Sequence, residues 1–360
     1  VRAHRLAGLG VLAAAFALAG CGSSVPTAHP LGARPSLELS VPLTVAACDD
    51  TNQCYALGTT GFADAAAQVF TPWTRWRALT SPAASDTVLT SAACWSNGCL
   101  FGGASPDGDV LWRAEGARPL VPVAGPTGGA GVVALSCFGD GTCAVVDTDA
   151  LGTDRLSFTT DAGSLWGTPS SVGVDIVRSL ACTSTTDCVV AGVNDARPRT
   201  AGTDSVAVVS RTVDGGASWQ ASTTPASWAS LDSLACAGTD CVARATSAVP
   251  SSCTGPACLT PTENAAVSVV RSSNLGATWT PLAHQPAGRL SALACAGPTQ
   301  CLGVTTNSHE VTRVTTWRHG RWRSRAVRYL PGLVAGVSCA STRCVVATSS
   351  AVLVADWASL

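Results

Sequence analysis

Three features of the sequence predict an all-β chain folded as a seven-bladed β-propeller of four-stranded antiparallel blades. Close cysteine pairs recur about every 45 residues, a tryptophan stands at a near-constant distance before the next pair, and short Val- and Thr-rich runs alternate with Gly, Pro, Asp and Ser. No long amphipathic pattern of period 3.6 interrupts them, which argues against a helical repeat. Strands of a blade lie between two neighbouring blades, so both faces are buried and clean polar alternation is not expected.

Composition narrows the class further. The 360 residues are 46% hydrophobic and 12% charged, with a formal net charge of −1. Ordinary globular chains are about 25% charged. The chain is therefore neither a disordered polyelectrolyte nor a basic nucleic-acid binder. Every one of its positive side chains is Arg.

The N-terminus carries an address. Arg2, His4 and Arg5 precede an apolar run from Leu6 to Leu18, shorter than the roughly 20 residues that span a bilayer. The run ends in Leu18-Ala19-Gly20-Cys21, which resembles the lipobox of bacterial lipoproteins. The resemblance implies that 1–20 is a lipoprotein signal peptide and that Cys21 is lipidated on its thiol. Several acyl chains together anchor stably where one does not. Residues 21–34 then read as a tether rich in Gly, Ser and Pro, and 35–360 as the propeller. The expected location is the extracytoplasmic face of a cell membrane, lipid-anchored, with the chain a monomer.

Beyond Cys21, sixteen cysteines form eight close pairs. Seven follow a common pattern that begins with Leu or Val and places Ala or Ser before the first Cys: Cys48–Cys54, Cys94–Cys99, Cys137–Cys143, Cys182–Cys188, Cys236–Cys241, Cys295–Cys301 and Cys339–Cys344. Their first members are 46, 43, 45, 54, 59 and 44 residues apart. With strands lettered A to D in each blade, every pair joins A to B across a short turn, a separation that a disulfide bridges. Near-neighbour pairs in an exported chain with five His favour disulfides over metal ligation. Neither a metal nor a cofactor is expected.

Trp76, Trp166, Trp219, Trp279 and Trp322 precede the next first Cys by 18, 16, 17, 16 and 17 residues. Three of them close segments that resemble the Asp box, S/T-x-D-x-G-x-T-W, of sialidase-type propellers. They are Thr159–Trp166 with Asp161 and Gly163, Thr212–Trp219 with Asp214 and Gly216, and Ser272–Trp279 with Asn274 and Gly276. A short carboxylate or amide bonds local N–H groups, Gly accepts positive φ, and Trp packs inward. The resemblance, to bacterial lipoprotein propellers with such BNR/Asp-box repeats, covers about 35–360. Photosystem II assembly factors and sialidases are among the relatives it implies. It also implies that the boxes are structural and lie between strands C and D.

The last repeat runs out after its third strand, near Ala351–Trp357, and Pro35–Ser40 is expected to complete it. The A–B and C–D turns should then share one end of the ring, and the B–C and D–A connections the other. Blades 4 and 5 carry enlarged B–C connections around 194–204 and 249–263, the second holding the eighth pair, Cys253–Cys258. Asp195, Arg197, Arg199, Asp204 and Glu263 are their charged members and the candidate binding residues. The same insertions also read as tolerated loop growth. Arg321, Arg323 and Arg325 fall on one side of an outer strand with Trp322 on the other, either as a patch for anionic envelope polymer or as a charged edge that resists pairing.

Sialidases require an arginine triad, a Tyr–Glu nucleophilic pair and an Asp acid/base. The chain has two Tyr, and Tyr329 with Glu263 or Glu310 is the only pairing away from a turn. Hydrolase, metalloprotease and phosphate-loop motifs are missing from the sequence. The expected function is a non-catalytic binding or assembly platform for a protein or envelope glycan, with a sialidase-like exo-glycosidase as the alternative.

Overall fold

The computed structural model describes residues 43–357 except 52, 61–62, 71–76, 81–85, 195–205, 248–265, 307–311, 319, 325–329, 331–332 and 349–350. It is an all-β ring. Sheet 1 comprises Leu43–Cys48, Cys54–Thr60, Ala63–Phe70 and Arg77–Leu79, and sheet 2 Val88–Trp95, Gly98–Ser105, Gly108–Ala114 and Val121–Val123. Sheet 3 comprises Gly129–Gly139, Thr142–Asp149, Asp154–Thr159 and Ser170–Ser171, and sheet 4 Ile176–Cys182, Cys188–Asn194, Val206–Thr212 and Gln220–Ala221. Sheet 5 is built from Trp228–Ala237, Asp240–Ser247, Val267–Ser272 and Thr280–Pro281, and sheet 6 from Arg289–Gly297, Gln300–Thr306, Thr312–Arg318 and Arg321–Ser324. Sheet 7 has Val334–Cys339, Arg343–Thr348 and Val352–Asp356. All are antiparallel meanders, in the order A-B-C-D in sheets 1 to 6 and A-B-C in sheet 7.

The expectation of seven four-stranded blades is corrected here. Six sheets are four-stranded blades and the seventh has three strands among the described residues. Pro35–Ser40, expected to complete the sheet, lies outside the described residues.

Burial explains why the strands show little alternation. In sheet 4, Val189 and Ala191 pack with Leu231 and Trp228 of sheet 5, while Cys188 and Val190 pack with Ala134 and Val146 of sheet 3. Period 2 thus assigns each side chain to one of two apolar neighbours, and both faces read as hydrophobic. The ends of the chain meet by the same logic. Tyr55 and Leu57 face Phe101 of sheet 2, whereas Cys54 and Ala56 face Val345 and Ala347 of sheet 7. Ser341 in sheet 7 donates through its N–H and Oγ to Asp50 at 3.2 and 2.9 Å, a link 291 positions apart in sequence.

All seven A–B pairs form disulfides, each between directly opposed residues, with Cα atoms 3.9–4.1 Å apart. Each closes a ring of six or seven residues, which on the chain-entropy model contributes about 2 kcal/mol. Cys253 and Cys258 lie outside the described residues, as does Trp76.

The three Trp-terminated segments fold alike, between strands C and D. Thr159, Thr212 and Ser272 each donate a hydroxyl to the acid or amide two residues on, at 2.7, 2.7 and 2.8 Å. The same hydroxyls accept the N–H of Gly163, Gly216 and Gly276 at 2.9–3.0 Å. These glycines have φ of 88°, 87° and 75°, the left-handed region where a Cβ is penalised. The N–H of Leu165 holds the Asp161 carboxyl below its ordinary pKa, and the Ser218 hydroxyl and N–H hold Asp214 at about 2. Each turn docks on the disulfide turn of its own sheet: Ala162 N–H to Gly141 O at 2.8 Å, Gly215 to Thr186 at 3.0 Å and Leu275 to Thr239 at 2.7 Å. A–B and C–D turns therefore share one end of the ring, the stapled end. Strand direction puts the B–C and D–A connections at the other, the loop end.

Candidate functional site

The seven A strands stand side by side around the axis and surround a cavity of about 460 Å³. Six repeats contribute residues two to four positions before their first Cys, and sheet 6 contributes Leu293, Ala294 and Cys295, so aligned repeats form stacked rings of lining groups. The uppermost ring is Thr44, Thr90, Val133, Arg178, Asp232, Ser291 and Ala335, of which all but Ser291 reach the cavity. In six sheets this residue is a β-bulge. Pairing steps from Leu43–Gly58 to Val45–Leu57 in sheet 1 and from Val177–Gly192 to Ser179–Ala191 in sheet 4, leaving Thr44 and Arg178 without an opposite residue. Bulges re-aim side chains, and here they bring Thr44, Thr90, Val133, Arg178 and Ala335 to the axial cavity.

Sheet 5 departs from the rule. Asp232 is paired directly with Arg244 on the neighbouring strand, and the extra residues become Ser233 and Leu234. Ser233 takes φ 53°, a strained value for a side chain with a Cβ. The cause is a bidentate ion pair: Arg244 Nε and Nη2 donate to the two Asp232 oxygens at 2.7 and 2.9 Å. Arg244 Nη1 also reaches the carbonyls of Leu290, at 3.3 Å, and Ser291 in sheet 6. A charge at this level thus ties two sheets together. Hydroxyls one position later tie others: Ser91 Oγ accepts Leu135 N–H and Ser179 Oγ accepts Leu234 N–H, both at 2.9 Å.

Asp232 is satisfied by Arg244, so the remaining charge of the lining is Arg178, exposed and without an ion pair among the described residues. Above it, at the loop end, stand apolar side chains in water. Leu151 is 91% exposed, Val88 54%, Ile176 38% and Val206 37%. Val88 and Ile176 open their A strands, Val206 opens a C strand, and Leu151 caps a B–C turn, so all four belong to the same end.

Of the residues singled out from sequence, the structure brings the disulfides and the three turn motifs together at the stapled end. Asp195, Arg197, Arg199, Asp204 and Glu263 lie outside the described residues, as do Cys21, Arg325, Tyr329 and Glu310. Their flanks are in place: Asn194 and Val206 are opposed residues of sheet 4, and Thr246 and Val267 of sheet 5, so both enlarged connections start from the loop end. Arg321 and Arg323 are exposed, while Trp322 turns inward onto Trp317 with ring centres 5.5 Å apart. Tyr55 is fully buried, bonds Gly116 O at 3.2 Å, and has its ionisation suppressed chiefly by burial. It is a core residue.

Arg178, Asp232 and Arg244 were not singled out from sequence. Alignment of the repeats on their first Cys exposes two of them: the fourth residue before it is Thr, Thr, Val, Arg, Asp, Ser and Ala. Alignment on the second Cys exposes another departure. Four residues after it stand Gly58, Gly103, Asp147, Gly192, Ala245, Thr305 and Thr348. Asp147 is fully buried and its Oδ2 lies 2.5 Å from Arg155 Nη2.

No protein-family model matches the chain, and no curated protein matches it in sequence. Solved structures match its fold. YCF48 bound to a D1 peptide is 12% identical with a TM-score of 0.58, covering 89% of this chain and 95% of that one. The WD40 repeats of RRP9 are 12% identical with a TM-score of 0.61, covering 91% and 99%. Virginiamycin B lyase from Staphylococcus aureus is 9% identical with a TM-score of 0.55, covering 89% and 97%. Binding proteins and an enzyme share this architecture, so the likeness establishes a β-propeller and no activity.

Proposed function

We propose that this chain is a lipid-anchored envelope β-propeller that captures a protein partner on its loop end and catalyses no reaction. The observation that carries the reading is the emergence of both enlarged connections at one end, beside the exposed Val88, Leu151, Ile176 and Val206; Val121, Leu165 and Val213 are exposed at the stapled end. Apolar side chains around a concave, polar centre are the anatomy of a recognition surface. At the opposite end the three Trp-terminated turns each dock on the disulfide turn of their own sheet. Seven disulfides at the stapled end tie strand A to strand B in each sheet and so make the scaffold under the surface rigid, which lowers the entropic cost of binding. A similar propeller with a bound peptide supports a protein partner, and the Leu18–Cys21 motif supports the anchor.

The test is affinity capture from envelope extract with three proteins: the wild-type chain, a deletion of 249–263, and Ile176→Asp. The reading expects one partner retained by wild type and lost from both variants, whose melting curves stay intact. Retention by both variants would remove the loop end from consideration.

A further inference from the structure

The seam between sheets 2 and 3 holds more buried negative charge than its one cation neutralises. Asp109 comes from strand C of sheet 2, and Asp147 and Arg155 from strands B and C of sheet 3. Arg155 donates to Asp147 Oδ2 and, at 3.4 Å, to Thr127 O in the connection between the two sheets. Asp147 Oδ1 and Arg155 Nε are buried and make no hydrogen bond. The Asp109 carboxyl is wedged against the same connection: a Cβ on Gly129 would stand 1.7 Å from its Oδ2, and one on Gly125 would stand 2.8 Å from its Cβ. Both glycines are there because nothing larger fits beside that carboxyl.

Among the described residues, the elements packed against Asp109 offer no second cation. Strand B of sheet 2, strand A of sheet 3 and the 124–129 connection contribute no titratable side chain, their cysteines being bonded. Asp107 stands in the nearby B–C turn of sheet 2 and Asp149 ends strand B of sheet 3, and Asp154 already accepts from Thr148 Oγ1 at 2.6 Å and Val177 N–H at 2.8 Å. Two carboxyls against one guanidinium leave one charge over, and the simplest neutraliser of a buried carboxylate is a proton.

We propose that Asp109, Asp147 and Arg155 form a protonation-controlled latch on the 124–129 connection. With a proton on Asp109, the connection is packed shut on the seam; when that proton leaves, repulsion from Asp147 loosens it. Burial first, and the charge of Asp147 second, raise Asp109 to about 6, so release falls in the range of mildly acidic to neutral envelopes. The sign follows from linkage: a carboxyl raised on folding stabilises below its unfolded value near 3.8 and loses that contribution as pH climbs through 6. The latch sits at the loop end, beside the turn that exposes Leu151. It stands independently of what binds there.

Amide hydrogen exchange of the full chain, with rates corrected for intrinsic pH dependence, reads the latch directly. Protection across 125–131 is expected to fall about tenfold between pH 5 and 7.5, with sheets 5 and 6 unchanged. Asp109→Asn should keep the high protection at both pH values. Asp147→Asn, which leaves Arg155 to Asp109, should move the midpoint below pH 5. Equal wild-type protection at pH 5 and 7.5, or an undiminished pH response in Asp109→Asn, would overturn the proposal.

Discussion

The ion pair in sheet 5 offers the sharpest energetic test of how the ring is held. Asp232 and Arg244 side chains are 20% and 23% exposed, between the surface and fully buried regimes. Exposed pairs contribute at most about 1 kcal/mol, and breaking a buried one costs 3–5 kcal/mol. Asp232→Asn, which leaves Arg244 its two carbonyl acceptors in sheet 6, should therefore cost about 2 kcal/mol. Arg244→Met removes the bridge to Leu290 and Ser291 as well and strands a carboxylate, so it should cost about 3 kcal/mol. In the double variant no charge is left unpaired, and the loss should fall short of the sum by about 1–2 kcal/mol. At roughly 2–4 °C per kcal/mol for a domain of this order, the Asp232→Asn midpoint drops by about 5 °C. Calorimetry on the oxidised protein measures all four corners of the cycle. Strictly additive losses, or unshifted melts, would refute the view that this pair sets the register of sheet 5 and joins it to sheet 6.

Other consequences are simpler to state. Replacing Cys137 and Cys143 together by Ala should cost about 2 kcal/mol and leave the secondary structure unchanged by circular dichroism, since each ring is small and local. Gly192→Ala should destabilise by about 1–3 kcal/mol in thermal melts, because the new Cβ would meet Ile176 O at 2.0 Å, a backbone atom that cannot yield. Deleting 30–41 should lower the melting temperature sharply if those residues complete sheet 7; an unchanged melt would leave that sheet three-stranded. Cys21→Ala should move the chain from the membrane to the soluble fraction on differential centrifugation.

How much of this was legible beforehand follows from the range of each interaction. The disulfides are spaced by five or six positions and the Trp-terminated turns by seven, so each motif closes within one repeat and recurs with it. Direction then fixes which turns share an end, and the structure places them so. Other features depend on neighbours that linear spacing does not reveal. Asp109 meets Asp147 across 38 positions and a sheet boundary, and Arg244 reaches Ser291 across 47. Neither has a local pattern. Their trace is an exception in a column of the repeat, a charge where the other copies carry small or apolar residues, and it becomes visible only when the copies are stacked. The three described strands of sheet 7 were legible because they carry the same repeat as the other sheets.

Which end of the ring engages a partner decides the functional account, and site-specific photocrosslinking reads it most directly. A photoreactive residue at Ile176 probes the loop end, and one at Leu165, itself 76% exposed, probes the stapled end under the same conditions. The account expects a discrete adduct in envelope extract from position 176 and none from 165. An adduct from 165 with none from 176 would contradict it.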